Sequence, residues 1–148
     1  MRRIEPFALR YARIAISASF LCAVADRFGL LGQYGGWGNM ANFTSYTANV
    51  LSFLPATTIP FCAWSATLCE TLFGLTLAFY GALPARYISG SAWPRWIALG
   101  SSALLLLFAL AMSISLGPKK PLDYSVFSAS AGALLLALVP ERQPTTRH

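Results

Sequence analysis

The sequence predicts an all-α membrane protein, a four-helix bundle with a short interfacial helix or loop between helices 1 and 2. Three observations carry that prediction. Of the 148 residues, 56% are hydrophobic and only 11% charged, whereas soluble domains run near a quarter charged. The apolar residues gather in four runs that approach or reach the length needed to cross a bilayer. The basic residues sit at the ends of those runs instead of forming a patch. A net charge of +6 is therefore read as membrane anchoring, and no nucleic-acid partner is expected. The chain reads as one domain, residues 1–148, whose first partner is the lipid bilayer.

The first helix is expected over about residues 14–31, after a basic start that holds Arg2, Arg3, Arg10 and Arg13. The basic start, the apolar core and Ala23-Val24-Ala25 also mimic a cleavable signal peptide, but the segment is read as a retained helix. Ser19, Cys22, Ala23 and Asp26 share a face by helical spacing. Small residues of this kind pack membrane helices, so Asp26 is expected to face the bundle. Arg27 is turned about 100° away and is expected to lift its guanidinium towards the interface.

Residues 32–55 are uncharged yet too polar to span, with Gly32, Gly35, Gly36 and Gly38 breaking any helix. Met40, Phe43, Thr47, Val50, Leu51 and Leu54 then recur at helical spacing. They predict a short helix at the interface, a lid over the bundle mouth, in competition with an ordinary aromatic-anchored loop.

The second spanning helix is expected over about residues 59–83, capped by Thr57 and Thr58 with Pro60 in its first turn. It carries Glu70, the one charge between Arg27 and Arg86. Ala63, Ala66, Thr67, Phe73, Gly74 and Leu77 lie on its face, so the acid should point at a neighbouring helix. The third helix is expected over about residues 96–116 and ends at Gly117-Pro118. The fourth, about residues 122–139, starts near Asp123 and Tyr124, carries a small face of Ser125, Ser128, Ala129, Gly132 and Ala133, and stops at Pro140.

Orientation follows the basic residues. The N-terminal segment, the turn between helices 2 and 3 and the tail hold eight arginines: Arg2, Arg3, Arg10, Arg13, Arg86, Arg95, Arg142 and Arg147. Arg27, Lys119 and Lys120 are left for the other side. This predicts a multi-pass protein of the plasma (inner) membrane with both termini cytoplasmic.

Glu70 lies about 16 Å along its helix from the outer start. An ionised acid at the bilayer centre costs about 2.5–3.5 kcal/mol on insertion scales. Protonation, a partner cation or a water-filled cavity would each relieve that cost. Arg27, the nearest cation, is expected about 10 Å shallower by helix rise. A protonated or water-contacting Glu70, hydrogen-bonded by a Ser or Thr of a neighbouring helix, is therefore favoured over direct pairing. It serves either as a proton relay or quinone or solute contact, or as interhelical glue. Asp26, Arg27, Lys119 and Asp123 would form a charged ring at the outer mouth, serving as interfacial anchors or as a docking site for a polar ligand. The candidate binding residues are thus Glu70, Asp26, Arg27, Asp123 and Tyr124. Cys22, Cys62 and Cys69 form no CxxC, and His148 is the only histidine, so no metal or haem site is readable. Cys62 and Cys69, about 10 Å apart on one helix, cannot bridge. Cys22 and Cys69 come from antiparallel neighbours and read as packing residues before they read as a redox pair.

Three stretches carry a family resemblance. They are Ala23-Val24-Ala25-Asp26-Arg27-Phe28-Gly29, Trp37-Gly38-Asn39-Met40-Ala41-Asn42-Phe43 and Pro121-Leu122-Asp123-Tyr124-Ser125-Val126-Phe127-Ser128. Together they resemble the DoxX-like integral membrane family, over about residues 13–138. The resemblance implies a bacterial or archaeal four-helix protein of the plasma membrane. It also implies kinship with the small membrane subunits of thiosulfate:quinone oxidoreductase, with quinone as the cofactor it admits, although no catalytic motif carries over. Three functions follow as expectations: a subunit in quinone-linked thiol or sulfur redox, a non-enzymatic assembly or scaffold subunit of a larger membrane complex or homo-oligomer, and a small-solute or proton pathway.

Overall fold

A computed structural model describes residues 5–84 and 92–139. These residues form six α-helices and no strand: α1 (Glu5–Arg27), α2 (Met40–Val50), α3 (Ile59–Ala82), α4 (Trp93–Leu116), α5 (Lys119–Asp123) and α6 (Val126–Leu138). Single 3-10 turns, Gly32–Tyr34 and Ala56–Thr58, precede α2 and α3. By length and composition α1, α3 and α4 can each cross a membrane, while α6 is apolar but only 13 residues long. Their outward faces carry large apolar side chains such as Leu68, Phe79, Leu107 and Ile114, as lipid requires.

The helices pair by small-residue contacts. α1 runs antiparallel to α3, with Ile14 against Gly81 and Phe20 and Leu21 against Gly74. The buried column of α3 is Ala63, Thr67, Glu70, Gly74, Leu77 and Gly81. Its steps of four and three give the 3.5-residue seam of a left-handed helix pair. A Cβ on Gly74 would stand 2.9 Å from the Leu21 side chain, so glycine sets the closeness of approach. Ser17 donates from Oγ to the Gly74 carbonyl at 2.7 Å. α4 and α6 form the second pair, clamped by Ser102 and Ser130. Each hydroxyl donates to the other residue's carbonyl at 2.9 Å. Ile16, Phe20, Leu77, Ala98, Ala133 and Leu136 join the two pairs in one core. α3 and α4 meet more sparsely than the members of either pair.

The structure corrects several expectations. Helix 1 spans Glu5–Arg27, not residues 14–31. Arg10 and Arg13 sit within it, and Arg13 is buried, so charge does not delay its start. It stops before residue 28 because Gly29 and Gly32 take positive φ. Its buried face is Arg13, Ile16, Ser17, Phe20, Asp26 and Arg27. Ser19 and Cys22 are exposed, and Ser19 donates to the Ala15 carbonyl in its own helix. Thr58 does not cap α3; its hydroxyl donates to the Pro55 carbonyl. The third spanning helix begins at Trp93, with Pro94 in the first turn. The fourth run is not continuous over residues 122–139. Ser125, at φ 55°, separates α5 from α6. That break turns Ser130, Ala133, Leu136 and Ala137 inward, while Ser125 and Ser128 stay exposed. The short helix between helices 1 and 2 is present as α2.

Arg10, Arg13 and Arg95 lie at one end of the helices, with Lys119 and Lys120 at the other. Arg2, Arg3, Arg86, Arg142 and Arg147, the turn over residues 85–91 and the tail from residue 140 lie outside the described residues.

Candidate functional site

The site begins where α1 stops. Asp26 and Arg27 are its last two residues, both buried, and their side chains do different jobs. The Asp26 carboxylate accepts backbone N–H groups from Gly36 at 2.9 Å, Trp37 at 3.1 Å and Gly38 at 3.1 Å. An anion cradled by successive amides needs no cation beside it. Glycine suits the cradle. A Cβ on Gly35 would run into Asp26 Oδ1, and Gly38 sits at φ 69°. The cradle thereby fixes Trp37 beside Arg27.

Arg27 turns inward. Its guanidinium donates to Thr67 Oγ1 at 2.8 Å and lies 2.6 Å from Glu70 Oε2. Both partners are on α3, three residues apart on one face. Thr67 in turn donates to the Ala63 carbonyl at 2.9 Å, leaving its oxygen lone pair for the arginine. The guanidinium carbon sits 3.6 Å from the centre of the Phe43 ring and 5.7 Å from that of Trp37, within cation–π range. The ion-pair side chains are 3% and 4% exposed. Two atoms are left over: Arg27 Nε and Glu70 Oε2 are buried with no hydrogen-bond partner among the described residues, although the oxygen meets the guanidinium as an ion pair.

α2 closes the site on one side. Asn39 caps it by accepting the Asn42 N–H at 2.8 Å, and Phe43, Thr47 and Val50 are its buried face. Trp37 packs edge-on to Phe43 and tilts against Tyr46. Burial, and then the neighbouring Tyr124, push the Tyr46 phenol above its ordinary range, so it stands as a neutral hydroxyl. Between α2, α3 and α4 lies a cavity of about 970 Å³. Arg27 and Glu70 are part of its wall, as are Cys62, Cys69, Leu104, Phe108 and Ala111. α3 and α4 meet only sparsely, and the cavity lies between them.

Two expectations about these residues are corrected. Arg27 does not lift away to the interface and is not shallower than Glu70. α1 ends level with Thr67, so α3 continues for eight residues, about 12 Å, beyond it. The space above Arg27 is filled by the glycine loop and α2. The acid is answered by the arginine; the neighbouring hydroxyl of Thr67 serves Arg27. The charged ring also does not form. Asp26 and Arg27 are internal, while Lys119 and Asp123 make an exposed i,i+4 pair at 3.0 Å. Tyr124 is exposed but reaches the cavity wall. Thr67, Phe43 and Trp37 are site residues that the sequence reading left out. The helical register of Thr67 with Glu70 was the available signal. All three cysteines are free, with Cys22 exposed and Cys62 and Cys69 in the cavity wall. Among the described residues no group of three His, Cys, Asp or Glu side chains could hold a metal ion.

Fold and site together define a small helical membrane protein with an internal ion pair at the head of an apolar cavity. Comparison with protein-family models, with curated proteins and with solved structures finds no match to the chain.

Proposed function

We propose that the chain is a four-helix subunit of the DoxX-like kind, set in a bacterial plasma membrane with both termini cytoplasmic, and that it serves quinone-linked thiol or sulfur redox. One observation supports this best: a cavity of about 970 Å³ with apolar walls whose polar end is the Arg27–Glu70 pair. Ligand sites of this class are mostly apolar with a few convergent polar groups. A quinone ring presents carbonyls to a donor, and its isoprenoid chain matches walls of Leu and Phe. Arg27 would orient the head, and Glu70 would hold Arg27 in place and relay a proton to the head as it takes up electrons. The thiol or thiosulfate oxidation belongs to a partner subunit in this reading.

The test is quinone reduction by the protein purified with its partners in nanodiscs, with thiosulfate or a thiol as donor. Reduction is expected, and Glu70→Gln should lower it by about tenfold or more, within the range of a lost proton-transfer group. Failure to reduce any quinone from any such donor overturns the reading.

A second reading has its own support. Ser128 and Gly132 of α6 present an outward small-x-x-x-small stripe, and nothing lies near the position a Gly132 Cβ would take. Such stripes let membrane helices approach, as an assembly subunit of a larger complex or homo-oligomer needs. Gly132→Leu should then dissociate the assembly without unfolding the chain, as read by native mass spectrometry.

A further inference from the structure

We propose that the cavity is loaded sideways from the bilayer and selects uncharged amphiphiles whose head is a hydrogen-bond acceptor, rejecting anionic ones of equal length. The inference rests on the reading that the cavity is a ligand site, but not on redox.

Three observations carry it. The first is the leftover donor. Arg27 Nε is buried without a partner in a residue 3% exposed that forms part of the cavity wall. A buried unsatisfied N–H is costly, and a carbonyl oxygen brought to it would relieve that cost. Glu70 Oε2 also makes no hydrogen bond, but it lies against the guanidinium as an ion pair; Nε has no such neighbour, and as arginine offers donors alone, the matching head is an acceptor.

The second is charge. The formal charges of Asp26, Arg27 and Glu70 sum to one negative. Glu70 answers Arg27 at 2.6 Å, and three backbone amides answer Asp26. Among the described residues that line the cavity no second cation is left to receive a carboxylate or phosphate head, which would enter a low-dielectric site already negative. A neutral carbonyl meets no such opposition.

The third is access. On the loop side Trp37 and Phe43 stack over the guanidinium, and Asp26 ties that loop down. On the other side the cavity wall includes Phe61, Leu107, Leu110 and Ile114, all of them exposed. These belong to the spanning helices α3 and α4 and face lipid. A ligand dissolved in the bilayer meets an apolar doorway there, whereas at the other end the exposed lining side chains are the aromatic Phe53 and Tyr124, beside a loop tied down by Asp26.

The thiols supply the assay. Cys62 and Cys69 are in the cavity wall, and Cys22 is outside it. The protein is placed in nanodiscs of ether-linked phosphatidylcholine, which brings no ester carbonyl. N-ethylmaleimide labelling is followed at each cysteine by peptide mass spectrometry. The probes are methyl undecyl ketone, tridecanoate at alkaline pH and tridecane. At ten times its dissociation constant the ketone should slow Cys69 labelling about tenfold by mass action, with Cys22 unchanged. Tridecanoate and tridecane should leave Cys69 labelling within about twofold on the same scale. Leu107→Trp, on an exposed wall residue that folding does not need, should remove the protection.

Protection by tridecanoate equal to that by the ketone overturns the selectivity, and no protection by any probe overturns the site. Protection that survives Leu107→Trp overturns the lateral route. Because the ketone undergoes no quinone chemistry, its protection without quinone turnover would sink the redox reading and leave this one standing. Turnover without ketone protection would do the reverse.

Discussion

Arg27 and Glu70 are each other's reason for being tolerated inside an apolar protein. Removing one partner leaves the other charged and buried, which typically costs about 3–5 kcal/mol. Arg27→Ala is therefore expected to lower stability by that amount in detergent unfolding measurements. The double variant Arg27→Met with Glu70→Leu should recover most of the loss, since an apolar pair of similar volume needs no compensation. A double variant as unstable as the single would show that the ion pair is not the origin of the effect. Gly35→Ala tests the neighbouring cradle. Its Cβ would collide with Asp26 Oδ1, so the three amide contacts should loosen. A loss of about 1–3 kcal/mol is expected, together with a change in Trp37 fluorescence against a Trp37→Phe control. At this scale the sequence was half legible. A lone acid among Ala63, Thr67 and Gly74 announces an inward face. Its partner was hidden because depth was counted from helix ends taken as level, and α1 stops two turns short of the start of α3.

Among the elements, the α3 column shows how a span carries a site without losing its packing. Glu70 occupies one seam position, and the neighbouring seam positions are small. Gly81→Val should push Ile14 and the Arg13 stem aside, as a Cβ there already comes within 2.9 Å of Ile14. Overpacking of this kind costs about 1–3 kcal/mol, measurable as a lowered unfolding midpoint. The Ser102–Ser130 clamp makes a sharper test. Each single Ser→Ala is expected to cost about 1 kcal/mol, and a double-mutant cycle should find the two coupled, because the hydroxyls lie 3.3 Å apart. Additive losses would argue against a clamp acting as a unit. α3 was legible at both ends, since an unbroken apolar run and Pro60 mark it. α6 was not, because the αL conformation of Ser125 leaves no trace in a run that reads as continuous. The start of α1 was missed because arginines at Arg10 and Arg13 read as a flank, although the helix carries them inside.

For the molecule as a whole, the arrangement is two close helix pairs, α1 with α3 and α4 with α6, with sparse contact between α3 and α4. The cavity lies between those two helices and α2, and no run of sequence encodes it, because its walls come from five separate segments. Composition told where the protein resides long before any residue told what it does there. One further property follows from the break at Ser125. The 13 residues of α6 rise about 20 Å, against about 30 Å of hydrocarbon in an ordinary bilayer. In the four-helix reading proposed above, lipids beside that helix would shorten or tilt, at a cost of fractions of a kcal/mol per Å of mismatch. The chain should be more heat-stable in short-acyl than in long-acyl nanodiscs, and it should pucker the leaflet on its α6 side, drawing thin patches of membrane, and whatever else prefers them, into its company.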